Sequence, residues 1–239
     1  QVNFDPMPEG FGQVEYNDLD AMRAAISDTT CAIMVELVQG EGGIWPGDGS
    51  YIEGLRELCD EDNLLLIFDE VQTGIGRLGS FYGYQHYGVE PDIITLAKGL
   101  GGGVPIGATL FKEDACTLRP GDHGNTFGGS PLMCAAAKVV VEAVQGPGFL
   151  DAVIAKGQRV RSGLEALRDT GKVFDVRGVG LLNGVQFDSP DTADHVVAQS
   201  RADGLILVKV DAATVRLVPP LNVEDAEIDQ AVAIIGGTL

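Results

Sequence analysis

Two apolar runs in this sequence end on groups that titrate. "LLLIFD" closes on Asp69, and "DIITLA" is followed by Lys98 and then "GLGGG". A carboxylate at the end of a buried strand is costly unless a cation or a good donor meets it. Lysine is almost never fully buried without a partner. Desolvation lowers its pKa and exposes the lone pair that a Schiff-base nucleophile needs. Each residue has a plainer reading: Asp69 can cap a helix or brace a loop, and Lys98 can extend to water. Together they ask for one thing, a cationic ring for Asp69 that offers Lys98 an aldehyde. Pyridoxal phosphate meets both demands.

Other residues are less specific. Gly74, Gly76 and Gly79 spell G-x-G-x-x-G behind the first run. A dinucleotide fingerprint requires strand, glycines and then a helix whose amides hold the pyrophosphate. Here Asp69 to Thr73 fill the gap before the glycines, and Arg77 to Gly83 carry no helical period. Loop hinges are the stronger reading, with a nicotinamide-binding module as the rival. Thr126, in "GNTFGGSP", sits among glycines near a helix start, either as a phosphate contact or in an ordinary turn. Glu36 and Glu41 flank another strand exit, an arrangement open to acid/base work that the spacing does not demand. Arg216 lies in the apolar "TVRLVPP" and needs an anion that spacing alone does not identify.

The elements that position these residues follow from periodicity. Residues 1–17 form an entering loop, and Asn17-Asp18 cap a helix over "LDAMRAAIS". Buried strands are expected at residues 31–38, 64–69 and 91–99, with a reversed or edge strand at 106–111. Helices are expected at 50–63, with Ser50 as a possible cap, and at 130–144, with Pro131 in its first turn. Alternating strands and helices imply an α/β fold with a mostly parallel sheet. Past residue 143 the pattern becomes α+β: a long helix at 149–169, a hairpin at 173–187, a helix closed by Gly204, strands "LILVKV" and "TVRLVP", and a terminal helix with Asn222 as a possible cap. The expected domains are therefore 1–143 and 144–239.

Composition limits the function further. The 239 residues include 35 acidic and 16 basic ones, a formal charge of −19, which argues against nucleic acid and anionic membranes as partners. The excess acid reads as a solvated surface, or as adaptation to salt. Cys31, Cys59, Cys116 and Cys134 form no C-x-x-C and read as buried thiols of a reducing compartment. Three scattered histidines do not make a His-built metal site. A start at Gln1 fits a processed chain or a fragment.

"IFDEVQTGIGRLG", "PDIITLAKGLGGGVPIGA", "GDHGNTFGGSPLMCAAA" and "VRGVGLLNG" occur here in an order that resembles class III aminotransferases, the pyridoxal-phosphate enzymes of fold type I, and most closely their acetylornithine/ornithine branch. The resemblance spans essentially the whole chain. It implies that Lys98 bonds the cofactor and then carries the 1,3-proton, and that Asp69 meets the ring nitrogen. Val71 would pack on the ring face and Gln72 would approach its phenolic oxygen, with Glu70 in the same cofactor-binding stretch. Thr126 would reach the phosphate of a neighbouring subunit's cofactor, with Asn125 beside substrate. Glu41 and Arg216 would form a pair that is closed for the amino donor and opens so that Arg216 binds the α-carboxylate of glutamate or 2-oxoglutarate. The implied protein is a cytoplasmic homodimer of amino-acid metabolism. The family's usual proline is replaced by Leu37, at some loss of rigidity. The resemblance also implies a longer enzyme. Its N-terminal portion, truncated, nicked off or separate, would carry a Gly-Thr-rich phosphate loop, a ring-stacking aromatic and a substrate-gripping arginine. A fragment serving only as a dimerising companion chain is the reading from another class, and GABA, acetyl-lysine or succinylornithine aminotransferases are the alternatives within the family.

Overall fold

The computed structural model describes residues 6–239, so the first five residues of the expected entering loop lie outside it. In chain order the elements are α1 (Leu19–Ala25), β1 (Ala32–Glu36), β2 (Val38–Gln39), β3 (Trp45–Pro46), α2 (Gly49–Glu61), β4 (Leu65–Asp69), α3 (Tyr84–Tyr87), β5 (Ile93–Leu96) and β6 (Ala108–Phe111). They continue with α4 (Pro131–Val144), α5 (Phe149–Ala166), β7 (Val173–Val179), β8 (Leu182–Phe187), α6 (Pro190–Ala202), β9 (Val208–Lys209), β10 (Thr214–Leu217) and α7 (Asp225–Gly237).

The first sheet runs β1-β4-β5-β6, with β1, β4 and β5 parallel and β6 antiparallel at the edge. Its register brings Glu36 beside Asp69 and Asp69 beside Thr95, so three polar residues share the carboxyl end of the sheet. One face of that sheet packs on α2. Ile52, Leu55, Leu58, Leu66 and Phe68 are fully buried, each worth about 1.5–3 kcal/mol relative to exposure. The second sheet is antiparallel, in the order β7-β8-β10-β9, and buries Val153, Leu164, Val185, Val196, Val215 and Ile235 against α5, α6 and α7.

Side-chain caps explain three of the helix starts. The Asp18 side chain accepts from the Ala21 amide at the head of α1, and Ser189 does the same for Thr192 at the head of α6. Two caps differ from expectation. The α2 helix begins after Asp48, whose own amide donates to Asn17 Oδ1 at 2.9 Å, and Ser50 lies inside the helix. The α7 helix is capped by a Glu224–Glu227 capping box and not by Asn222.

The apolar run at 31–38 is two strands, because the chain turns at Leu37 and Val38–Gln39 then pairs with Trp45–Pro46, inside what reads as a loop. Of "LILVKV" only Val208–Lys209 pairs. The thiols also depart from expectation: Cys59 is buried but Cys31, Cys116 and Cys134 are exposed. Among the described residues no single helix is long and apolar enough to cross a membrane.

The glycine motif joins the two sheets. A Cβ on Gly76 or Gly79 would meet Val144 or Ile154, at 2.8 and 2.4 Å. Their bareness therefore lets the loop lie against α4 and α5; the next helix, α3, starts only at Tyr84, is four residues long and does not open directly from the glycines as a dinucleotide site requires. Arg77, between them, donates to the carbonyls of Leu181 and Pro219 at 3.0 and 2.7 Å, and the Leu181 amide donates back to Arg77 O. Burial without a carboxylate partner pulls the Arg77 guanidinium down to about 10.

Candidate active site

Asp69 ends β4 half-buried. Its Oδ1 accepts from the Val71 amide at 2.9 Å and from the Thr95 hydroxyl at 3.3 Å. Both donors hold one oxygen, which fixes the carboxylate and leaves Oδ2 available. Thr95 went unnoticed in the sequence; its signal is a lone hydroxyl inside the apolar "IITL". Lys98 follows β5 on the adjacent strand, at the start of a tight turn to Gly101 with φ +39. Such a φ is unusual outside glycine and clusters at functional sites. Lys98 is exposed, contrary to the expected burial, so this chain by itself does not desolvate the amine. The reason is geometric: the strand ends at Leu96, and the turn sends Leu100 back into the core while Lys98 and Gly99 face outward.

The second cluster closes over the same sheet end. Arg216, half-buried on β10, aims Nη1 at Glu41 Oε1 (2.6 Å), Gly40 O (3.0 Å) and Gln72 Oε1 (3.3 Å). Gln72 Nε2 donates to Glu41 at 3.2 Å, so Gln72 bridges the pair. A Cβ on Gly40 would fall 2.3 Å from Gln72 Nε2 and would push the Gln72 amide from its place in the bridge. The bond from Arg216 pulls the Glu41 carboxyl below the usual range. Glu36, beside Asp69, moves the other way: burial and the Asp69 charge raise it, although the Gly40 amide donates to its Oε2 at 3.0 Å.

The loop carrying Glu41 is strained. Gly43 has φ +109 and Ile44 has φ +58, a conformation that costs a β-branched residue about 1–3 kcal/mol. Full burial of Ile44 with Val38, Leu78 and Leu182 offsets that cost. Leu37, the replacement for the family's proline, is also fully buried. Its carbonyl accepts from Tyr87 Oη, Tyr16 Oη and the Gly47 amide at 3.0, 3.2 and 2.9 Å, contacts that fix the segment without a proline ring.

Glu70 corrects the expectation that it belongs with the cofactor contacts. It is 1% exposed, and its two oxygens accept from the Gly83 and Tyr84 amides at 2.6 and 2.8 Å. Strand alternation turns it to the face opposite Asp69, where it ties the returning loop. Burial raises its pKa against those two donors. Asn125 and Thr126 lie exposed on the loop before α4. Asn125 Oδ1 accepts from the Phe127 and Gly128 amides at 3.2 and 3.0 Å, which shapes a turn.

These features fit pyridoxal phosphate. Asp69 presents a free carboxylate oxygen, Lys98 an exposed amine at the next strand tip, and Arg216 a carboxylate site beside them.

The family model described as aminotransferase class-III matches residues 3–239. The chain belongs to the class-III aminotransferase family. Among curated class-III relatives, it is 49% identical to the acetylornithine aminotransferase of Caldanaerobacter subterraneus over 99% of this chain and 60% of that protein. It is 46% identical to the succinylornithine transaminase/acetylornithine aminotransferase of Pseudomonas aeruginosa, over 95% of this chain and 57% of that one. Its backbone superposes on the ornithine aminotransferase of Toxoplasma gondii with a TM-score of 0.92 at 35% identity, covering 99% of this chain and 57% of the other. For the acetylornithine aminotransferase of Elizabethkingia anophelis the TM-score is 0.89 at 34% identity, covering 99% and 62%. The fold is thus that of pyridoxal-phosphate enzymes of fold type I, represented by part of its large domain and a small α+β unit. The chain spans about 60% of the length of the curated relatives it matches.

Proposed function

We propose that this chain supplies the C-terminal portion of a pyridoxal-phosphate-dependent aminotransferase of the acetylornithine/ornithine type. The reaction is a ping-pong transfer of a terminal amino group to 2-oxoglutarate. The observation that carries this reading is the closed Glu41–Arg216 pair above the strand tips of Asp69 and Lys98. When bound, pyridoxal phosphate supplies an aldehyde for amines and a pyridine ring that draws electrons from the bond being broken.

The chain's own residues then divide the work. The Asp69 oxygen left free by Val71 and Thr95 accepts a hydrogen bond from a protonated ring nitrogen and keeps that proton in place. Lys98 provides the amine and moves a proton between neighbouring atoms as general acid and base. Val71 would pack against the ring, and Gln72, which bridges Glu41 and Arg216, would approach it from the other end of that bridge. With a donor whose reacting end is a lone terminal amine, Glu41 keeps Arg216 neutralised. With 2-oxoglutarate or glutamate, Arg216 exchanges Glu41 for the substrate carboxylate. One site thereby accepts two substrates of different charge.

In this reading residues 1–143 belong to the cofactor-binding domain and 144–239 to the small domain. Thr126 and Asn125, exposed before α4, reach the partner subunit's site in a cytoplasmic homodimer acting in arginine biosynthesis. The Pseudomonas aeruginosa relative, whose name covers both succinylated and acetylated ornithine, favours a donor whose far amine is acylated.

The test is spectroscopic. Protein loaded with pyridoxal phosphate should change its cofactor absorbance on adding N-acetylornithine and recover it on adding 2-oxoglutarate. A cofactor spectrum indifferent to both substrates sinks the proposal, as does preferential binding of NAD(H).

A further inference from the structure

We infer that Arg177 is a positioning residue that holds both members of the Glu41–Arg216 pair in the closed geometry. The inference rests on the substrate-switch reading above and extends it to a residue that touches neither Glu41 nor Arg216.

Arg177 lies on β7 and is 8% exposed. Its Nε donates to the Gly43 carbonyl at 2.9 Å, and its guanidinium stacks on Trp45, 3.7 Å from the ring centroid. Gly43 and Trp45 belong to the loop that carries Glu41. Its Nη2 donates to Thr214 Oγ1 at 3.1 Å. Thr214 precedes Arg216 by two positions on β10, on the same side of that strand. One planar fork therefore spans the two elements that bear the pair. Asp175 and Gln186 accept from Nη1, each at 2.9 Å, and fix the fork's plane. Asp211 stands 3.9 Å away, with its other oxygen accepting from the Thr214 amide at 2.6 Å.

A buried arginine could serve the fold alone, balanced by Asp175. Two details exceed that need. One donor reaches across to the strained loop that carries Glu41, where φ is +109 at Gly43 and +58 at Ile44. Its Nη2, which also stands 3.9 Å from the Asp211 carboxylate, reaches the strand of Arg216 through the Thr214 hydroxyl. Lysine has neither the fork nor the flat face for Trp45, so charge alone would not replace it.

The test reads the pair directly and needs no turnover. The Glu41 carboxyl is titrated by carboxyl-selective NMR in the wild type and in Arg216→Met, Arg177→Met and Arg177→Lys. Arg216→Met should release Glu41 upward toward an ordinary carboxylate. Arg177→Met and Arg177→Lys should each recover about half of that upward shift, though neither changes a residue in contact with Glu41. A Glu41 titration identical to wild type in a folded Arg177→Met protein overturns the inference, because a merely structural arginine would leave the pair alone. If Arg177→Met fails to fold, Thr214→Val and Trp45→Leu each remove one contact of the fork. A smaller upward shift in them supports the inference, and no shift in either overturns it. A parallel titration with glutarate separates the two claims. If glutarate leaves the wild-type Glu41 titration unchanged, the substrate-switch reading fails while the Arg177 result still decides the brace.

Discussion

Replacing Glu41 by glutamine should make the protein bind a dicarboxylate more tightly, and only modestly so. The side chains of Glu41 and Arg216 are 70% and 16% exposed. Glu41 is thus largely in water, and its attraction to Arg216 is screened. Exposed pairs of this kind are worth about 0.2–1 kcal/mol, and the half-buried guanidinium places this one near the upper end. A dicarboxylate must break the pair before it meets Arg216. Removing the charge lowers that barrier by up to about 1 kcal/mol, or about fivefold in affinity. The gain stays small because Gly40 O and Gln72 Oε1 still accept from Arg216 Nη1.

Calorimetric titration with glutarate measures this directly. The pH dependence supplies an independent sign. Arg216 holds the Glu41 carboxyl below its usual range, so the pair's stabilisation is complete above the ordinary carboxylate pKa and is lost as pH falls through the depressed value. The advantage of Glu41→Gln over wild type should therefore shrink in acid. Weaker binding by the variant, or a gain of about a hundredfold (about 2.7 kcal/mol), would refute the reasoning, the first by showing that Glu41 helps bind the acid and the second by showing that the pair is not screened.

Other consequences concern the scaffold. Gly180→Ala should destabilise the protein by more than about 2 kcal/mol in urea, since φ is +54 and the new Cβ would lie 2.4 Å from Arg77 O. Gly204→Ala, at φ +90 with nothing within 4 Å, should cost only about 1 kcal/mol, and equal costs would contradict the close approach described at the joint. Glu70→Gln replaces one acceptor by a donor facing a backbone amide, which should cost about 1–3 kcal/mol. Burial raises the Glu70 carboxyl, so its contribution is complete below the unfolded pKa of about 4.3 and falls as pH rises through the raised value. The stability gap between wild type and Glu70→Gln should therefore be wider near pH 4 than near pH 7, as urea midpoints can show.

The strand tips were the most legible part of the sequence, because a charged residue ending an apolar run has few positions open to it. Asp69 ends β4, and Lys98 follows β5, its parallel neighbour, by two positions. Local chemistry decided less elsewhere. Asp69 and Glu70 look alike in sequence, yet one step along the strand sends them to opposite faces, and only the return of Gly83 and Tyr84 gives Glu70 its partners. The partner of Arg216 was undecidable from spacing because Glu41 lies 175 positions away. Arg177 was invisible for the same reason: its contacts to Gly43 and Thr214 are 134 and 37 positions apart. The exposure of Lys98 depends on a single turn with positive φ, which no composition rule reports.

Which amine the cofactor chooses tests the site most directly. Protein mixed with pyridoxal phosphate, reduced with borohydride, digested and mapped by mass spectrometry should carry the pyridoxyl group on Lys98. Lys112, Lys138, Lys156, Lys172 and Lys209 should remain unlabelled at low cofactor excess, and Asp69→Asn should lower the labelling of Lys98. Label distributed evenly over the six lysines, or concentrated away from Lys98, would contradict the account.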